Sequence, residues 1–175
     1  MATNIEIKAR IHDFKKMLDV ARELSDLPEE IIIQEDTFFH IKNGRLKLRI
    51  FSNDSGELIH YARQDTQKSK RSDYLIYPTS TPSKLKEVLS NALGIKVVVK
   101  KERRLFVKAQ TRIHLDKVEG LGNFIEFEVV INKEKEIPEA YQTIEELEEI
   151  FGIKENQLIT VAYADLILDK YSQSK

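Results

Sequence analysis

The chain has 175 residues, about one domain's worth, with 28 Lys and Arg against 29 Asp and Glu for a formal net charge of −1. That balance excludes a plainly basic nucleic-acid-binding surface; the lack of cysteine excludes disulfides and thiolate chemistry, and four scattered His argue against a His-rich zinc site. Hydrophobic residues make up 41% and charged residues 33%, enough for a core that buries roughly 70% of the unfolded chain's surface. The segment Met1 to Arg10 carries Glu6 and no apolar h-region. The longest aliphatic runs, Ile31 to Ile33 and Val97 to Val99, are far short of a membrane span. A cytoplasmic protein with neither nucleic acid nor membrane as partner is expected.

In chain order, Asn4 to Arg10 alternates as a strand, with Ile5, Ile7 and Ala9 on one face and Asn4, Glu6, Lys8 and Arg10 on the other. Asp13 caps a helix whose apolar positions Phe14, Met17, Leu18, Ala21 and Leu24 recur every three or four residues. A strand over Arg45 to Ile50 sets Arg45, Lys47 and Arg49 against Leu46, Leu48 and Ile50. Asn53-Asp54-Ser55 fits a glycosylation sequon but reads as a turn. The stretch from Lys68 to Asp73 reads as a mobile, solvated basic loop. Thr81 and Pro82 open a second helix that Gly94 closes. Further strands set Arg112, His114 and Asp116 against Ile113 and Leu115, and Glu126 and Glu128 against Ile125, Phe127, Val129 and Ile131. A third helix is expected from Thr143 to Gly152 and a fourth from about Lys154 to Tyr171. No linker or repeat divides residues 1–175, so one domain is expected.

Half-buried antiparallel strands often carry a solvated polar face, but such faces mix charge signs. Here one strand offers only Arg and Lys and another only Glu at alternate positions, and like charges on one face repel without a counter-ion. A sheet curled into a barrel would turn these faces inward around a ligand, with the apolar faces outward under the helices. An interior of Arg, Lys and carboxylates suits a polyanion with a divalent cation. Glu126 and Glu128 point the same way and could share Mg2+ or Mn2+, with Glu6 completing the site.

Several segments resemble the CYTH superfamily, or triphosphate tunnel metalloenzymes. Asn4-Ile5-Glu6-Ile7-Lys8 is similar to the family's E-x-E-x-K signature, and Gln34 to Phe39 to its Q-x-D-T-Y-F segment. Leu46-Lys47-Leu48-Arg49, Tyr61-Ala62-Arg63 and Lys101-Glu102-Arg103 resemble its basic strands. Thr111 to Asp116, Glu119 to Gly122, Phe124 to Glu128 and Tyr163 to Leu166 complete the series, which covers roughly residues 3 to 170. The resemblance implies an α+β fold, an antiparallel eight-stranded barrel with helices outside. It implies metal ligation by Glu6, Glu126 and Glu128, with Asp116 a catalytic helper. Lys8, Lys47, Arg49, Arg63, Lys101, Arg103 and Arg112 would hold phosphate oxygens, Lys8 serving either as a ligand or as a base.

Within the family the segments look most like the class IV adenylyl cyclase branch, which implies conversion of ATP to cyclic AMP and pyrophosphate. The alternatives are an inorganic or thiamine triphosphatase, or a protein that binds a phosphorylated ligand without turnover. A homodimer is left open. Two positions depart from the family pattern: Asn4 stands where the signature has its first acid, and Phe38 where it has Tyr. An amide oxygen can ligate a cation but adds no charge. His114 reads as a hydrogen-bonding partner of a phosphate or carboxylate rather than a metal ligand, and Tyr163 and Asp165 as fixing the last helix.

Overall fold

Period-two alternation with charge on one face and aliphatic side chains on the other leaves a sheet only one apolar side to cover. A computed structural model describes residues 2–63, 70–133 and 136–173. Its strands are β1 (Ala2–Arg10), β2 (Glu30–Phe39), β3 (Arg45–Phe51), β4 (Gly56–Arg63), β5 (Lys70–Thr79), β6 (Ile95–Lys108), β7 (Thr111–Val118) and β8 (Gly122–Ile131). All neighbours are antiparallel in the order β1-β5-β4-β3-β2-β6-β7-β8, and the ring closes because β1 pairs with both β5 and β8. The expected α+β barrel is therefore present.

The four α-helices among the described residues are α1 (Phe14–Leu24), α2 (Pro82–Leu93), α3 (Ile137–Phe151) and α4 (Tyr163–Gln173). None is long and apolar enough to cross a membrane. The outward aliphatic rows of β1, β7 and β8, including Ile5, Ile7, Ile113, Leu115 and Phe127, bury against Met17 and Ala21 of α1 and Ile144, Leu147 and Phe151 of α3. The α1 cap is the expected one, with the Asp13 carboxylate accepting from Lys16 N at 2.9 Å.

Two helix boundaries differ from expectation. α3 starts at Ile137, six residues before Thr143, because Pro138 suits a first helical turn and Ala140 already belongs to the buried stripe. α4 starts at Tyr163 rather than near Lys154. The intervening chain makes a short 3-10 turn over Glu155–Gln157 and then follows β1, with Leu158 bridging Ala9 and Ile159 N donating to Lys8 O at 2.7 Å. Among the described residues, β5 pairs with β1 from Ala2 to Glu6. Of the expected basic loop, Lys68 and Ser69 lie outside the described residues. Residues 70–73 instead belong to β5, where the backbone of Ser72 is matched with Asn4 on one side and Arg63 on the other.

At Gly56 the start of α2 packs tightly on the barrel. A Cβ there would lie 2.6 Å from Arg49 O and 2.7 Å from Pro82 Cβ, and neither neighbour is a flexible side-chain end. Gly56→Ala should therefore destabilise the fold by about 1–3 kcal/mol, the usual range for overpacking. A lowered denaturation midpoint with an unchanged far-ultraviolet dichroism spectrum is expected; an unchanged midpoint would contradict the close packing.

Candidate active site

The inward faces enclose a cavity of about 450 Å³. α4 fills one end: Tyr163, Ala164 and Ile167 pack with Phe38, Val97, Val99, Val118 and Phe124, all inward-facing positions of the barrel. The Arg45–Asp165 ion pair at 2.9 Å ties this helix to β3. At the opposite end three apolar side chains enter the wall beside Arg112 and Glu57. Ile32, Phe51 and Leu105 are each the next inward residue beyond a charged or amide side chain. Antiparallel pairing puts the start of β2 and the ends of β3 and β6 together there.

Between the two ends the wall is ionic and built around two aspartates. Asp116 on β7 is fully buried. It accepts from Lys101 Nζ at 3.1 Å, from Arg103 Nε and Nη2 at 2.7 Å each, and from the Tyr163 hydroxyl at 3.0 Å. Asp36 on β2 repeats the arrangement with β3: Lys47 Nζ at 3.0 Å, Arg49 Nε and Nη2 at 2.9 and 3.1 Å, and Gln34 Nε2 at 3.2 Å. In both clusters a strand carrying Lys-x-Arg faces one carboxylate on its neighbour, with Asp36 opposite Arg49 and Asp116 opposite Arg103 in register.

Burial alone would raise both carboxyl pKa values, but the guanidinium groups (Arg103 at Asp116, Arg49 at Asp36) and the lysines hold them well below the usual range. Burial and the Arg103 charge depress the Lys101 ammonium to about 7, against the pull of Asp116, Asp36 and Glu126.

The carboxylates of β8 form a third group. Glu126 Oε2 pairs with Lys8 Nζ at 3.2 Å, and the Lys8 ammonium also lies 4.3 Å from the centre of the Tyr163 ring. Glu128 Oε1 accepts from Asn4 Nδ2 at 2.5 Å and from Arg112 Nη1 at 3.2 Å. His114 stands between them, Nδ1 3.6 Å from Glu126 Oε1 and Nε2 3.8 Å from Glu128 Oε2. Burial and the Arg103 charge lower the imidazole pKa. Burial opposes ionisation of Glu126, yet Lys8, His114 and Arg103 hold its pKa well below the usual value. One ligand atom each from His114, Glu126 and Glu128 lie within 4.8 Å of one another.

Two buried side-chain atoms here have no hydrogen-bonding partner, Asn4 Oδ1 and His114 Nδ1. An unpartnered amide oxygen beside converging ligand atoms of His114, Glu126 and Glu128 is what a divalent cation would satisfy, so the residues present fit such an ion.

Of the residues singled out in sequence, Glu6, Lys8, Lys47, Arg49, Lys101, Arg103, Arg112, Glu126 and Glu128 all line the one cavity. Glu6 lies beside Glu128 in register, though outside the group of three whose ligand atoms converge. Asp116 sits behind the wall with its oxygens engaged by Lys101, Arg103 and Tyr163. The Arg63 side chain lies outside the described residues. Sequence reasoning passed over Asp36, which stands within the Gln34 to Phe39 segment, and read Tyr163 only as fixing the last helix, whereas its hydroxyl and ring also serve the ionic wall. The signal for Asp36 was its shared parity with Gln34 and Phe38, two further inward positions.

The CYTH domain family model matches residues 2–163. A Methanocaldococcus jannaschii protein, provisionally named an adenylate cyclase, is 25% identical over 170 residues, covering 93% of this chain and 97% of its own. A Pyrococcus horikoshii protein of solved structure superposes with TM-score 0.82 at 22% identity, covering 93% of this chain and 98% of its own. A Hippeastrum protein, provisionally an adenylyl cyclase and described as having a dominant triphosphatase activity, gives TM-score 0.66 at 14% identity, with 98% and 96% covered. The chain belongs to the CYTH domain family.

The lowered carboxyl pKa values have a consequence for stability. Unfolded aspartates titrate near 3.9, so Asp36 and Asp116 contribute fully above about pH 4 and lose that contribution as the pH falls through their lower folded values. Asp116→Asn should lower stability at neutral pH by about 3–5 kcal/mol, since it uncovers two buried cations. The gap between variant and wild type in urea midpoint should narrow below pH 4. A gap independent of pH would overturn the ionised, buried state assigned to Asp116.

Proposed function

We propose that this CYTH-domain protein is a divalent-metal-dependent enzyme acting on a nucleoside triphosphate, cyclising ATP to cyclic AMP and pyrophosphate. The observation that carries the reading is the order of chemistry along the cavity: apolar Ile32, Phe51 and Leu105 at one end, carboxylates within, and cations gathered near Tyr163. An inorganic triphosphate has no use for an apolar end, whereas a base or ribose does. With the base there, the chain of phosphates runs toward α4.

Lys8, Lys101 and Arg103 would then meet the pyrophosphate and stabilise its charge as it leaves. Lys47 and Arg49, braced by Asp36, would hold the opposite side of the phosphate chain. Arg112, beside Glu128, would contact the α-phosphate. Asp116 acts as a positioning residue, since its oxygens are already engaged by the cations it orients. Mg2+ or Mn2+ held by Glu6, Glu126 and Glu128 would supply phosphoryl polarisation and charge neutralisation when bound.

A triphosphatase keeps the same residues and differs in the attacking group and the phosphorus attacked; the Hippeastrum neighbour supports it as the second reading. Incubation with ATP or inorganic triphosphate and either ion separates the two. Cyclic AMP with pyrophosphate is expected, and orthophosphate without cyclic product would replace the cyclase reading by the triphosphatase one. Binding without turnover would identify a phosphate-ligand-binding protein. The double variant Glu126→Gln, Glu128→Gln should lose at least a thousandfold in turnover, the order expected for transition-state charge stabilisation; an active double variant would sink the carboxylate assignment.

The Lys101 pKa of about 7 adds a second check. At pH 8 most free protein carries neutral Lys101, and a polyphosphate beside it raises the pKa again, so binding takes up a proton. Affinity for a non-hydrolysable ATP analogue should decline as the pH rises above about 7. Calorimetry in buffers of different ionisation enthalpy should show the uptake, and Lys101→Met should abolish it. Equal heats in all buffers would contradict the assignment.

A further inference from the structure

We propose that Glu57 reads the nucleobase at the mouth of the cavity by accepting a hydrogen bond from an exocyclic amino group, so that the site selects adenine over a purine without that group. The proposal rests on the nucleotide reading above and deepens it by naming the residue that meets the base.

Strand register sets out the mouth residue by residue. Phe51 is the last inward residue of β3 and Glu57 the first of β4, and both line the cavity. Glu57 stands opposite Arg49, and Phe51 lies two residues beyond Arg49, so Glu57 and Phe51 are diagonal neighbours on one face. Such neighbours are about 7–8 Å apart, within reach of aromatic and long side chains. Ile76 is diagonal to Glu57 on its other flank, because Glu57 faces Pro78. The same step leads from Phe51 to Ile32, whose strand faces Phe51 with Gln34, and from Ile32, opposite Arg103, to Leu105. Arg112 follows, since Leu105 faces His114. The mouth is therefore an apolar arc with Glu57 as its one carboxylate and Arg112 at its far end.

Glu57 is not committed elsewhere. Arg49, across the hairpin, gives Nε and Nη2 to Asp36. Among the described residues, Glu57 itself makes neither a hydrogen bond nor an ion pair. It is part-buried, and a carboxylate can only accept.

The arc divides recognition between faces and edge. A base laid on Phe51 and Ile32 gains contact whatever its identity, because every base has a π-face. Choice among bases falls to the edge, where Glu57 attracts an N–H donor and repels ring nitrogens and carbonyl oxygens. The 6-amino group of adenine supplies that donor. A purine without it leaves the carboxylate desolvated and unpaired, and that penalty is the source of the discrimination.

The test uses the full chain with Mg2+ and three ligands whose bridging oxygens are replaced by methylene, which resist both cyclisation and hydrolysis. These are the triphosphates of adenosine and of purine riboside, and the corresponding inorganic triphosphate. Calorimetry should show the adenosine compound binding at least about tenfold more tightly than the purine riboside one, the order of a hydrogen bond to a charged group. Glu57→Met should bring the two nucleotides to within about threefold of each other. Glu57→Ala serves the same purpose if circular dichroism shows that Glu57→Met does not fold.

Equal binding of the two nucleotides by the wild type would overturn the proposal, and so would a preference that survives the substitution. Either result leaves the nucleotide reading standing where both nucleotides bind more tightly than inorganic triphosphate. Inorganic triphosphate binding as tightly as the nucleotides, or no binding of any of the three, would remove that reading and the proposal with it.

Discussion

Burying cations inside a β-barrel is the constraint on which the remaining structure depends. A lone guanidinium or ammonium removed from water is heavily penalised, yet a phosphate-binding interior needs several at once. Asp36 and Asp116 meet this need in the same way, each accepting from a Lys and an Arg two residues apart on the adjoining strand. The pair of bonds from each arginine fixes the plane of its guanidinium group. One carboxylate between two cations leaves each cluster locally cationic and held in fixed geometry. The arrangement also depends on strand pairing, because neither aspartate meets its partners unless β2 lies beside β3 and β7 beside β6.

Everything outside the barrel follows from this inward assignment. With charge committed to the lumen, the alternate residues must be aliphatic and need cover, which α1 and α3 supply over β1, β7 and β8. α4 differs in that it packs into the end of the barrel rather than over its side. Its Tyr163 joins the two halves of the argument: the ring abuts the apolar plug and lies under two ammonium groups, while the hydroxyl donates to Asp116. Loss of this tyrosine's contacts would therefore disturb the cation geometry from the apolar side.

Much of this was legible in the sequence because a charged interior inverts the usual pattern. Lys47 with Arg49 and Glu126 with Glu128 are conspicuous at period two, since a solvated face rarely keeps one sign. Asp36 was harder to see. It follows Glu35, which faces outward to Lys86, so adjacent acids conceal the fact that only one points inward. The start of α4 was misplaced because residues 158–159 are held to β1 by backbone hydrogen bonds, although Asp165, which accepts from Ala162 N at 3.2 Å, marks the first turn. The distances around His114 were also beyond sequence reading. Its parity placed it inward, but its position between Glu126 and Glu128 depends on how β7 and β8 pair.

The charge balance of the whole chain reappears inside it. Among the described residues, Lys8, Lys47, Arg49, Lys101, Arg103 and Arg112 share the interior with Glu6, Asp36, Glu57, Asp116, Glu126 and Glu128. The wall is locally cationic near Tyr163 and locally anionic around Glu126 and Glu128, but it is close to neutral as a whole. A polyphosphate entering such a cavity would bring several negative charges that the lysines and arginines, already paired, only partly offset. A dication at the carboxylates would offset that repulsion and weaken their hold on Lys8 and Arg112, freeing both for phosphate. On the proposed function, cation and polyanion would then favour each other's binding through the same side chains, and by linkage each would raise the other's affinity equally. A purely basic pocket would bind a polyanion unaided, whereas a balanced one would bind it best together with a metal.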